Sequence, residues 1–227
     1  AELGTCPHCG MDLVKKSDLV PEKSMVLNEI EFEPGPGKFL IEGGFKKEKT
    51  IVVHYNMPSD FDLDSKVLFI LPGAGRNGDD YRDAWISNSE KYNVLVLSLE
   101  YSTNHYPGFW SYNLGGMFKD VNIKDKTFMV NQNADEWLYS DFDRIFDEVQ
   151  NGLNFSTDQY DMFGHSAGGQ LLHRLALFNP KNKANRIVAS NSGWYTIPTN
   201  EEVFPYGLKD LQVTVTDLEA SYESKLI

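Results

Sequence analysis

Apolar and polar positions along this chain follow two rhythms that take turns. Val26 to Phe32 alternates apolar with polar residues, as a half-buried strand does, and Pro34-Gly35-Pro36-Gly37 breaks the run. Thr50 to Tyr55 is a second β-rich run. Val67 to Leu71 is continuously apolar up to Pro72-Gly73, the pattern of a strand buried on both faces, and Val94 to Leu99 repeats it. Asp79 to Glu90 has helical character. Ala134 to Val149 brings Trp137, Leu138, Ile145, Phe146 and Val149 near one helical face. Tyr160 to Phe163 is short and apolar; Ala167 to Phe178 is helical and stops at Asn179-Pro180. Arg186 to Asn191 holds the last clear buried strand.

Strands alternating with helices predict parallel pairing through right-handed crossovers. The expected class is α/β, a mostly parallel sheet flanked by helices. Positions 101–133 depart from the rhythm, being rich in Tyr, Asn and Gly. Connections of that length are functional or carry small elements of their own. The first twenty residues read as a cysteine-containing appendage, and 21–227 as the main domain.

Composition narrows the function. Of 227 residues, 33 are acidic and 21 basic, a net charge of −12, which argues against a partner made of nucleic acid. No run of 18 apolar residues exists, so no membrane span is expected. Hydrophobic residues make up 41% of the chain, enough for a core.

The strongest local pattern is Gly164-His165-Ser166-Ala167-Gly168, with Gly169 beyond it, where a short strand passes into a helix. It fits G-x-S-x-G, a turn so cramped that the residues two positions from the serine must lack bulk. The plain alternative is a glycine-rich helix start. The helix after Ser166 aims its free amides at the reacting centre and favours developing negative charge. The Ala167 amide is one expected oxyanion donor. The second should come from Leu71-Pro72-Gly73-Ala74-Gly75-Arg76-Asn77-Gly78, at Ala74 with Gly75 as the close alternative; an ordinary tight turn is the competing reading.

Together with Asn191-Ser192-Gly193-Trp194-Tyr195, these segments resemble the α/β-hydrolases, in particular their secreted esterase and polyester-depolymerase-like branch, over about Val26 to Leu211. The resemblance implies a serine hydrolase with Ser166 as nucleophile, an oxyanion hole at Ala74 and Ala167, and a small or polymeric ester as substrate, with no cofactor for catalysis. Pro72 departs from the family, many of whose members carry His before the glycine. A larger departure concerns the triad. After Ser166 the family order is acid, then His, and the sole downstream His is His173, about 10 Å along the same helix. Neither Asp210 nor Asp217 follows an apolar strand. The chain stops at Lys225-Leu226-Ile227 as though another strand were starting. Two readings follow: the strands carrying acid and His lie beyond this sequence, leaving a parallel edge near Val188, or the protein is a non-catalytic binding relative.

Trp194, Tyr195 and His105 follow strands at the sheet end where ligands of α/β proteins gather, and are the expected substrate pocket. Aromatic walls suit an apolar acyl group; packed loop anchors are the bland alternative. Cys6-Pro7-His8-Cys9-Gly10-Met11 resembles the cysteine half of a small heavy-metal-binding domain of bacterial efflux proteins. Cys6 and Cys9 would be two ligands for zinc or copper(I), half a site, with a disulfide or a plain tail as alternatives and metal handling as a third functional class. Appendage and resemblance together lean towards an exported protein, periplasmic or secreted. Oligomeric state is not legible.

Overall fold

One sheet gathers the apolar runs. The computed structural model describes residues 32–43, 49–122, 124–125, 127–209, 211 and 226. Within them β1 (Gly35–Glu42), β2 (Thr50–Met57), β3 (Lys66–Leu71), β4 (Val94–Glu100), β7 (Tyr160–His165) and β8 (Ala184–Ser190) form a six-stranded sheet in the order β1-β2-β4-β3-β7-β8. β1 and β2 run antiparallel; β4, β3, β7 and β8 are mutually parallel. The parallel strands therefore end at one edge, and the segments after them collect there.

The expected break at Pro34 to Gly37 is corrected: this stretch opens β1, with Pro36 opposite Asn56 and Gly37 opposite Tyr55. β1 is an edge strand, where a missing N–H costs no ladder bond. Gly37 is needed because a Cβ there would sit 2.3 Å from the Tyr55 ring, which packs across β1 against Phe39 and Phe32. The strand expected from Val26 falls, apart from Phe32, outside the described residues. Asp79 to Glu90 is two helices, α1 (Gly78–Asp83) and α2 (Ile86–Tyr92). The chain turns between them at Trp85, whose ring packs 5.4 Å from Phe163 on one face of the sheet.

α3 (Tyr139–Leu153) and α4 (Ala167–Phe178) cover the opposite face. α3 starts five residues later than its apolar pattern suggests, because Asn133 caps a 3-10 turn at Ala134–Glu136 instead. Its Phe142 meets Phe69 at 6.4 Å and its Phe146 meets Tyr160 at 5.1 Å. Phe69 is fully buried, and truncating it to Ala would cost about 3–5 kcal/mol. Asn179 at the end of α4 donates to the Tyr139 carbonyl and ties the two helices. The long segment after β4 does carry its own element, a hairpin of β5 (Phe118–Asn122) and β6 (Thr127–Val130). Beyond β8, on the side away from β7, Leu226 forms a parallel bridge to Ile187. Among the described residues no helix is long and apolar enough to cross a membrane.

Candidate active site

Ser166 joins β7 to α4 with φ 55° and ψ −111°, a conformation that costs a non-glycine residue about 1–3 kcal/mol. Its surroundings hold it there. The Ser166 amide donates to the Ser190 carbonyl at 2.9 Å, and its own carbonyl accepts the Gln170 amide at 3.0 Å. A Cβ at Gly168 would lie 2.0 Å from the Leu71 carbonyl oxygen, at Gly164 2.5 Å from that of Gly168, and at Gly169 2.6 Å from that of Ser190. Backbone meets backbone on all three sides, so the corner cannot relax sideways. The serine side chain is half-buried and makes no hydrogen bond among the described residues. Ala167 is the first residue of α4, and its N–H has no intrahelical partner.

The loop after β3 passes against this corner: a Cβ on Gly73 would lie 3.6 Å from that of Ser166. Ala74 and Gly75 are exposed, and the Ala74 amide donates to nothing among the described residues. Two side chains whose roles the sequence does not reveal hold the loop. Tyr112 donates to the Pro72 carbonyl at 2.7 Å. Arg76, itself at φ 55°, donates to the carbonyls of Tyr101 at 2.5 Å and Gly108 at 3.2 Å, its guanidinium 4.0 Å over the Tyr112 ring. Burial lowers the Arg76 pKa and pushes the Tyr112 phenol up. No sequence motif announces this clamp, because Tyr112 arrives from 40 residues away.

Each of the four described histidines has another partner. His165 Nδ1 is 2.7 Å from the Tyr81 hydroxyl, and His54 Nε2 is 2.8 Å from a Glu100 carboxylate oxygen. His173 donates through Nδ1 to the Gly169 carbonyl at 3.0 Å and accepts the Thr196 amide on Nε2 at 3.0 Å. Burial, reinforced by the Arg174 charge, drops its pKa to about 3. It is a neutral structural joint. His105 Nδ1 accepts the Thr50 amide at 3.3 Å, beside β2, three strand spacings or about 14 Å from β7.

Tyr195 folds back on its own loop, donating to the Ala189 carbonyl at 3.2 Å and stacking 5.0 Å from His173, with its outer side exposed. Trp194 instead faces Phe109, rings 6.4 Å apart. Cys6 and Cys9, with any metal they would hold, lie outside the described residues. A wider depression of about 630 Å³, lined by Leu68, Trp85, Phe163 and Val188 among others, lies towards the other end of the strands.

A mixed, mostly parallel sheet flanked by helices is also what this chain shares with solved structures. Over 86% of its length it is 36% identical to a poly(aspartic acid) hydrolase from Sphingomonas sp. KT-1, covering 70% of that chain at a TM-score of 0.76. The chain belongs to the α/β-hydrolases. A second member of similar shape is a poly(3-hydroxybutyrate) depolymerase from Bordetella parapertussis, 29% identical over 83% of this chain, with a TM-score of 0.73. This α/β-hydrolase spans 63% of that depolymerase. The BES protein from Bacillus cereus, at 13% identity and a TM-score of 0.50, shares the fold alone. No protein-family model and no curated protein matches the chain. The two nearer α/β-hydrolases carry names for hydrolytic cleavage of polymers, which supports a hydrolase and an enzyme here.

Proposed function

We propose that this α/β-hydrolase cleaves carboxylic esters through an acyl-enzyme on Ser166. The observation that carries the reading is the strained corner, which presents a hydroxyl and two flanking amides that have no partner among the described residues. Ser166 Oγ would attack the ester carbonyl carbon while a base takes its proton. The Ala74 and Ala167 amides would hold the oxyanion, the alcohol would leave with the proton, and water would hydrolyse the acyl-enzyme. Removing one such donor typically costs about 10²–10³ in kcat. In this reading none of the described histidines supplies the base, each being engaged elsewhere. Substrates are small or polymeric esters; the polymers in the relatives' names make the polymeric case the stronger. An exported location remains part of this proposal, as does a soft metal ion at Cys6 and Cys9.

The engaged state of every described histidine favours one competing reading, a binding module that retained the fold. A fluorophosphonate probe separates them. Labelling at Ser166, lost in Ser166→Ala, is the expected result; a well-folded protein that takes no label is the binding module. Metal titration of wild type against Cys6→Ala tests the appendage, where no difference removes metal handling.

A further inference from the structure

Between the segment after β4, the hairpin and the segment after β8 lies a cavity of about 140 Å³ lined by Phe109, Trp110, Phe118, Phe128, Trp194 and Phe204 among other apolar residues. Its two ends differ. Phe118 and Leu114 are buried and form the floor, whereas Phe109 and Phe128 are 41% and 50% exposed and form the mouth. Phe118 meets Phe128 and Phe204, each at 4.9 Å between ring centroids, so the hairpin and the segment after β8 close on each other. Two walls are tied to the corner described above. Phe109 follows Gly108, whose carbonyl receives Arg76 of the oxyanion loop. Trp194 lies four residues beyond Ser190, whose carbonyl receives the Ser166 amide.

The walls are fixed from behind. Arg174 on α4 is fully buried, with its guanidinium 5.8 Å from the Trp194 ring and 6.0 Å from that of Phe204. It donates to Thr196 Oγ1 at 3.1 Å and to the carbonyls of Asn113 and Gln170 at 3.1 and 2.9 Å. Cation–π attraction and these bonds hold the aromatic walls apart from α4's side, so the space does not close by collapse. Among the described residues no charged side chain lines it. An apolar space of this size has room for a guest of benzene size.

We propose that this cavity binds one uncharged apolar group, a phenyl ring or a branched alkyl of that bulk. Its role as the seat of the substrate's side group rests on the esterase reading; its binding of the group does not. A carboxylate entering it would lose its hydration with no cation on the lining to replace it.

The test uses the full chain and two probes of matched shape, benzyl alcohol and benzoate. Binding is followed by tryptophan fluorescence, since two of the four tryptophans line the cavity. Benzyl alcohol should bind saturably and at least tenfold more tightly than benzoate. Leu114→Phe, which fills the floor, should weaken it at least tenfold, with Val121→Phe as the second filling variant if the first fails to fold. Benzoate binding as tightly as the alcohol, or folded filling variants that bind like wild type, overturns the proposal and favours a carboxylate site or none. For activity, the kcat/KM ratio of 4-nitrophenyl phenylacetate to 4-nitrophenyl acetate should fall tenfold in the filled variant. Ring binding without hydrolysis of either ester removes the esterase reading and leaves the cavity standing. Hydrolysis without ring binding removes the cavity alone.

Discussion

The corner at Gly164 to Gly169 and the loop at Pro72 to Asn77 flank the same serine, yet they are held by different means. The corner is set by backbone packed on backbone, with three glycines where any Cβ would strike a main-chain oxygen. The loop is set by long-range side-chain bonds, Tyr112 reaching in to the Pro72 carbonyl and the loop's own Arg76 reaching out to Tyr101 and Gly108. A backbone-built site is local in sequence and intolerant of added atoms. A side-chain-built site is non-local and sensitive to atoms removed.

Adding one methyl to the corner is the harshest way to press that contrast. Gly168→Ala would place its Cβ 2.0 Å from the Leu71 carbonyl oxygen, so α4 must lift away from β3. A loss of about 3 kcal/mol or more is expected, the upper end for forced overpacking, read from urea midpoints. Gly193→Ala meets only the Gln170 side-chain amide, 3.0 Å away and not backbone, and should cost far less. Equal losses at both positions would mean that the corner is not a special point of contact.

A pH experiment probes the joint between α4 and the segment after β8. His173 spans it in neutral form, and protonation of Nε2 would break the bond from Thr196. The unfolded chain takes up this proton near pH 6.5, the folded chain only near 3. Between those values the unfolded state binds more protons, so stability falls as pH drops from 6.5 towards 3. The His173 contribution to that loss is about 2 kcal/mol by pH 5. His173→Gln should flatten the difference between urea midpoints at pH 7 and pH 5. A variant with the wild-type slope would show that His173 carries none of it.

Removing one oxygen tests the loop. Tyr112→Phe leaves the buried Pro72 carbonyl without its donor, a loss of about 1.5 kcal/mol. Because the freed loop carries the Ala74 amide, kcat for an ester should fall about tenfold with KM little changed. If instead KM rises alone, the loop positions substrate and not the oxyanion.

Legibility in sequence follows the same divide. The buried strands of β3, β4 and β7, and the corner itself, were readable because their causes are local: unbroken apolar runs, and glycines at fixed offsets from a serine. β1 was misread because Pro36 and Gly37 are turn residues by propensity, and only their place at the sheet edge under the Tyr55 ring makes them strand. The position of His105 was legible only as following β4, because proximity to a strand end does not say which neighbour the ring meets; it lies beside β2. The Arg76 and Tyr112 clamp left no trace, since neither residue has a fixed spacing from what it holds. No acid or base partner for Ser166 was legible, because the sole histidine after it, His173, lies on the same helix and is engaged at both ring nitrogens.

The smallest expected effect bears on the claim that the corner stores strain. Ser166 at φ 55° pays about 1–3 kcal/mol for its conformation, and glycine there would not, although glycine gives back about 0.5–1 kcal/mol in chain entropy. Ser166→Gly should therefore be more stable than wild type by about 1 kcal/mol. Ser166→Ala keeps a Cβ at positive φ and should show no such gain. Both variants lose the hydroxyl and any labelling with it, so activity cannot tell them apart and only the stability difference can. If glycine and alanine unfold at the same urea concentration, the corner is a relaxed turn, and the case for Ser166 as a presented nucleophile loses its physical basis.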